Sequence, residues 1–406
     1  MRKRLSSAVR HLKRAEFLVV LLVLVNVGLC VWLYASHARA TGRYEEVKVL
    51  EQSTLSFKQL SDFFTDIANK KGALYAFDVL RRAPLPPGID VHLLGHIVGD
   101  ILYKQQGAKG ILSCTQEFRN ACSHTIVIGT LLEKGPDSFG EIADLCRQAP
   151  GGPGAYTMCF HGLGHGVLAY NDYDLPKAVK MCEKSGTGRG REYAECVGGT
   201  IMEMIAGVHN PVAWKQKSQL YFKQSDPLYP CTASFMPNEA KGMCITYITP
   251  HLFQMAGADL AAPGPDAFKK AFTFCEPLKD PLRSVCFAGF GKEFTVLAQN
   301  RDIRAIDQMS DAQLGTVLDW CALARPEDGK TACMISGLNS IFWGGENDEK
   351  AAVRYCALAD ARRKDSVCTD SFLGSVKYFV NDPARRARIC SDVAPDYQDS
   401  CRQELL

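Results

Sequence analysis

Sixteen of the seventeen cysteines alternate between short and long separations along the whole chain. The short intervals fall inside Cys114/Cys122, Cys146/Cys159, Cys182/Cys196, Cys231/Cys244, Cys275/Cys286, Cys321/Cys333, Cys356/Cys368 and Cys390/Cys401, with 7, 12, 13, 12, 10, 11, 11 and 10 residues between partners. Successive pairs are separated by 23, 22, 34, 30, 34, 22 and 21 residues. An even set of cysteines in an exported chain reads as a disulfide framework, and the alternation favours pairing of neighbours. Zinc clusters would need C-x2-C spacings, and none occurs.

The same alternation reveals a repeat. Aligned on the second cysteine of each pair, the chain reads CSHTIVIGTLLEKG, CFHGLGHGVLAYND, CVGGTIMEMIAGVH, CITYITPHLFQMAG, CFAGFGKEFTVLAQ, CMISGLNSIFWGGE and CTDSFLGSVKYFVN. Each is an apolar, glycine-containing stretch of helical length. A more polar amphipathic stretch precedes each first cysteine, as in DSFGEIADLC and DAFKKAFTFC. Each unit is therefore a helical hairpin: an outer amphipathic helix, a loop, and a more buried inner helix. One cysteine falls near the end of the first helix and the other near the start of the second. Closing a loop of a dozen residues stabilises a hairpin by roughly 2–3 kcal/mol in the chain-entropy model. Glycines near the start of the inner helices, such as Gly162, Gly164, Gly289, Gly291 and Gly337, make sense where helices approach closely.

Asp90 occupies the cysteine column of DVHLLGHIVGDILYK, so residues 55–105 form an unstapled first hairpin. The last unit stops at CRQELL, a truncated inner helix. The expected fold is an all-α, α/α-hairpin solenoid with one disulfide per hairpin. In general plan it resembles Sel1- and TPR-like helical-repeat proteins, the Sel1-like members being disulfide-stapled as well. The cysteine spacing is wider here and the Sel1 consensus is absent, so no activity is carried over.

Charge sits at one end. Residues 1–16 carry Arg2, Lys3, Arg4, Arg10, Lys13 and Arg14 against Glu16, a local +5 within a whole-chain +3, which leaves −2 for the rest. The body thus has no electrostatic case for nucleic acid. Phe17 to Ala35 is almost wholly apolar, contains Cys30, and is about long enough to cross a bilayer. The basic cluster before it predicts a cytoplasmic N-terminus and a body that is periplasmic, extracellular or lumenal. Ala38-Arg39-Ala40 also has the form of a signal-peptide cleavage site, and both readings imply export. The expected organisation is a basic segment (1–16), an anchor (17–35), a linker (36–54), hairpins bearing a candidate site (55–210) and further stapled hairpins (211–406).

Five of the nine histidines share alignment columns. His92, His124 and His161 stand two residues after the second-cysteine position. His96 and His165 stand four residues further on, where the middle unit has Ile128. Spacing i, i+4 puts two imidazoles on one helix face, about 5–6 Å apart, within reach of one ion. Equivalent columns on adjacent helices face the same surface, which makes His92, His96, His124, His161 and His165 candidate metal ligands. A hydrogen-bonded histidine network is the plainer alternative, and haem is a minor one because no C-x-x-C-H motif occurs. Glu203 lies one residue beyond the His96/His165 column and is a candidate ligand or general base. Asp100 is placed to orient His96, while His209 and His251 fall outside the columns. Asn171 to Asp174 (NDYD) reads as a solvated loop with a faint calcium signature.

An imidazole-dominated set suits copper, iron or zinc. Copper or iron with an open position implies an oxidoreductase; zinc implies hydrolysis through an activated water with Glu203 as base. The ligand spacing is similar to that of type 3 copper proteins and membrane di-iron hydroxylases, in spacing alone. The rival expectation is a scaffold that binds a protein or peptide on its C-terminal hairpins, which carry no recurring chemical motif.

Overall fold

A computed structural model describes residues 44–51, 54–186, 188–260, 264–343 and 348–406. The apolar run 17–35 lies outside the described residues, and among those described no helix is long and apolar enough to cross a membrane. The described residues are helical and contain no strand, only an isolated bridge between Lys223 and Asp226. The chain divides into two compact units. Of the first (1–53 with 82–84), the described part includes a short helix, Glu45–Glu51. Everything that follows concerns the second unit, 54–81 with 85–406.

All eight cysteine pairs are bridged between sequence neighbours: Cys114–Cys122, Cys146–Cys159, Cys182–Cys196, Cys231–Cys244, Cys275–Cys286, Cys321–Cys333, Cys356–Cys368 and Cys390–Cys401, with Cα–Cα separations of 5.0–5.7 Å. That many disulfides fits an oxidising, extracellular-type environment. The inner helices are Val91–Gln106 (α1), Glu117–Lys134 (α2), Gly152–Tyr170 (α3), Arg191–Ala206 (α4), Asn238–Tyr247 (α5), Leu282–Ala298 (α6), Glu327–Ile341 (α7), Val367–Phe379 (α8) and Pro395–Leu405 (α9). Each packs on the next in chain order.

The hairpin plan is looser than the sequence implies, on both sides of the staples. Cys231 lies in the irregular stretch between Pro211–Tyr221 and α5, and Cys275 in turns after Pro265–Phe272, so neither ends a helix. Of their partners' column, Cys286 and Cys368 do fall in the early turns of α6 and α8. Cys244 and Cys401 do not: each lies past the middle of its helix, because α5 and α9 are short and begin well before the cysteine. All four sulfurs are nonetheless buried against the row.

Backbones nearly touch at the glycines. A Cβ on Gly164 of α3 would sit 2.0 Å from the Cys196 carbonyl oxygen of α4, and one on Gly199 would sit 1.9 Å from the His161 carbonyl oxygen. The same device recurs between α6 and α7, where a Cβ on Gly291 would meet the Cys333 carbonyl oxygen at 1.9 Å.

Segments far apart in the chain also meet, which an open concave solenoid would not allow. Asp90, the N-cap of α1, pairs with Arg301 at 2.8 Å. Arg304 donates to the Leu80 carbonyl at 2.5 Å, and Arg119 donates to Ser340 Oγ at 2.6 Å while lying 5.0 Å over the Trp343 ring. The curled row borders a partly open cavity lined by residues of α1–α6 and by Arg301, Ile303 and Trp343. The chain beyond residue 210, expected to be bare scaffold, thus supplies Tyr247, Lys292, Glu293, Arg301 and Trp343 to its wall.

Candidate metal centre

The three histidine-bearing inner helices α1, α2 and α3 lie side by side, and their aligned columns face one another. His92, His96, His124, His161 and His165 are all buried. Ring centroids of His96 lie 4.5 Å from His92, 5.6 Å from His124 and 5.5 Å from His165. The cluster gains a sixth imidazole, His209, 5.6 Å from His96 and 6.0 Å from His165. His209 follows Gly207, whose left-handed backbone (φ 65°) ends α4 and turns the chain back over the site. His251 stacks instead on Phe222 at 4.3 Å.

Among the described residues, two sets of three ligand atoms are close enough to hold an ion: His92, His96 and His124, and His165, Glu203 and His209. No bridged cysteine belongs to either set, so the role of the sulfurs here is to hold the helices. In the first set the His92 ring nitrogen Nδ1 lies 2.6 Å from the Phe118 carbonyl. A carbonyl only accepts, so Nδ1 carries the proton and Nε2 offers a lone pair. His92 Nε2 and His96 Nε2 are 3.0 Å apart, the separation of two nitrogens that share one ion at about 2.0 Å each. The Phe118 carbonyl is held by an unusual turn: Phe118, Arg119 and Asn120 adopt φ of 57°, 53° and 62°. Left-handed backbone costs a non-glycine residue roughly 1–2 kcal/mol. The Cys114–Cys122 loop closes around this turn, and the turn also aims Arg119 at Trp343.

In the second set Glu203 is surrounded by donors. His165 Nδ1 reaches Oε2 at 3.0 Å and His209 Nδ1 at 2.8 Å, while the His209 backbone N–H reaches Oε1 at 3.0 Å and the Tyr173 hydroxyl bonds Oε1 as well. Burial works to raise the Glu203 carboxyl, but the His209 charge and both imidazole hydrogen bonds hold it well below the usual carboxylate range. His209 is lifted in return by Glu203, against its own burial. With their Nδ1 protons on Glu203, His165 and His209 have only Nε2 left to offer, His209 once it has given up its second proton, and neither Nε2 has a hydrogen-bond partner among the described residues. Carboxylates commonly orient metal-binding histidines in this way.

Burial, reinforced by neighbouring imidazoles, holds His96, His124 and His161 well below the ordinary histidine value, and burial brings His92 down to about 4. The rings are therefore neutral, as metal ligands must be. His124 makes no well-formed hydrogen bond through either nitrogen, although the nearby Met158 carbonyl favours a proton on its ring. His96 Nδ1 and His161 Nδ1 are likewise unpartnered. Each such buried group costs roughly 1–3 kcal/mol, and so many in one place call for an occupant that can use them.

Two sequence expectations change. Asp100 makes no hydrogen bond to His96; its charge acts on His209 instead. The NDYD segment is neither a calcium loop nor merely solvated: Asp174 caps the Leu175–Met181 helix, and buried Tyr173 reaches Glu203. No family model, curated protein or solved structure matches the chain.

Proposed function

We propose that the protein is a membrane-anchored, exported metalloprotein and a metal-dependent oxidoreductase. Five imidazoles of its cluster would hold copper or iron beside the cavity. The observation that carries this reading is the pair of buried ligand sets joined through His96, with lone-pair nitrogens left unpartnered. A nitrogen-rich donor set of this kind suits a redox-active first-row metal, which would supply electron transfer at the cavity floor. His92, His96, His124, His165 and His209 are the holding residues, and Glu203 is a positioning residue. The zinc-hydrolase alternative needs a free base near the ion. Glu203 is poorly suited to that role, because both its oxygens are engaged and its carboxyl is held ionised by its donors. The anchor would be residues 17–35, and the C-terminal hairpins, instead of docking a separate protein, would close the substrate cavity.

Metal analysis of the purified full chain tests the reading, wild type beside His96→Ala and His124→Ala. Stoichiometric copper or iron that cycles between oxidation states, and is lost from folded variants, is the expected result. Zinc alone after reconstitution with all three metals would favour the hydrolase, and no metal at all would end both.

A further inference from the structure

His161 belongs to neither ligand set. Its Nε2 lies 3.4 Å from Met202 Sδ, and its ring lies against Tyr247 at 4.4 Å. Met158, three residues earlier on α3, lines the same cavity wall as His161 and Met202. Met202 stands six residues after Cys196, as His165 stands six after Cys159, so the ligand column continues in this helix with a thioether.

We propose that His161 Nε2 and Met202 Sδ, with Met158 as a third donor, form a copper(I) site separate from the two ligand sets. It lies where the cavity meets the imidazole cluster, the His161 ring centroid being 5.7 Å from that of His124. An ion bound at about 2.0 Å to nitrogen and about 2.3 Å to sulfur would subtend roughly 105° between atoms 3.4 Å apart, near the tetrahedral value. Thioether sulfur is soft and selects copper(I) over zinc, magnesium or calcium. All three donors are uncharged. The Glu195 carboxylate is 3.9 Å from His161 Nδ1, and Lys292 lines the same wall in an ion pair with Glu293, alongside Asp90, Arg119 and Arg301. A largely buried donor set that carries no charge of its own disfavours a divalent ion and tolerates a monovalent one. An N–H···S hydrogen bond is the plainer account of the 3.4 Å contact, and the two accounts differ in what copper does.

The experiment is an anaerobic copper(I) titration of the full chain against bicinchoninate, wild type beside Met202→Leu and Met158→Leu, with X-ray absorption at the copper edge. Leucine keeps the volume, so folding is retained; unfolding midpoints check this. Met202→Leu is expected to weaken one copper(I) equivalent at least tenfold and to remove sulfur scattering. Cobalt(II) uptake by the imidazole sets should stay unchanged. Equal copper(I) binding in wild type and Met202→Leu, or an all-nitrogen copper shell in wild type, would overturn the proposal. Loss of copper(I) in Met202→Leu with no cobalt(II) bound by either protein would uphold this site and remove the oxidoreductase reading, so the two can fail separately.

Discussion

Glu203 Oε2 lies 2.8 Å from His209 Nδ1, and the same oxygen takes the Nδ1 proton of His165 at 3.0 Å. One carboxylate thus fixes two imidazoles, one on α3 and one just past the end of α4. Glu203→Gln keeps the shape but can accept these bonds through one atom only. Metal affinity should fall by about 10–100-fold, the usual cost of losing such an orienting partner. The raised His209 value should drop back as well. Competition against a chelator of known affinity measures the first, and imidazole resonances followed through pH by NMR measure the second. Unchanged affinity would mean Glu203 does not position the ligands.

Acid should destabilise the metal-free protein steeply. His92, His96, His124, His161 and His165 all protonate less readily folded than unfolded. Above about pH 6.5 they are neutral in both states and cost nothing. Below it the unfolded chain takes up protons that the native fold refuses, so stability is lost as pH falls towards about 4, where His92 itself protonates. Each refused proton contributes about 1.4 kcal/mol per pH unit. His209 is raised and works the other way, favouring the fold below its own value and ceasing to do so as pH rises through it. Urea midpoints at pH 7.5 and 5.5 test the balance: a midpoint that holds or rises at pH 5.5 contradicts it.

Two glycine substitutions should move stability in opposite directions. Gly164→Ala drives a methyl into the Cys196 carbonyl at 2.0 Å, and backbone cannot give as a side-chain tip can. Overpacking of this kind costs about 1–3 kcal/mol, and parting α3 from α4 should loosen the metal centre too. Gly374, in the middle of α8 and on its exposed side, has nothing within 4 Å of an added Cβ. Gly374→Ala should therefore stabilise the protein by up to about 1 kcal/mol. Thermal unfolding of the two variants reads both signs.

Removing a single staple should weaken the protein without scrambling it. Replacing Cys146 and Cys159 together by alanine opens a loop with a sequence separation of 13 and should cost about 3 kcal/mol. The other seven pairs should persist, each joining sequence neighbours, when peptides are mapped without reduction. A bridge between different hairpins in that map would break the repeat on which the histidine columns rest.

Those columns were legible because covalent staples impose a period, and a period lets residues about 30 to 40 apart be superimposed. His92, His124 and His161 could be set side by side on paper for that reason. The period fixes the order of the staples better than their place within a helix, as Cys244 and Cys401 show by lying late in theirs. His209 could not be aligned at all: it follows the left-handed Gly207, where helical spacing no longer predicts direction. Tyr173 escaped similarly, since Asp172 and Tyr173 themselves have φ of 49° and 60°. The curl of the row was hidden for another reason. Asp90 and Arg301 are 211 residues apart, and nothing local in either segment announces the other. The one hint was the carboxylate of Asp90 standing where every later unit has a cysteine.

Cys122 and Cys159 each come two residues before a clustered histidine, so His124 and His161 hang one short step from a covalent anchor. In many small metalloproteins the ion is what folds the chain, and a chelator unfolds it. Here bridges, not ions, set the spacing of the ligands. If the proposed ion binds, occupancy and foldedness become independent quantities: the centre would empty and refill in a standing fold, so metal supply, not the act of folding, would determine how many copies are charged.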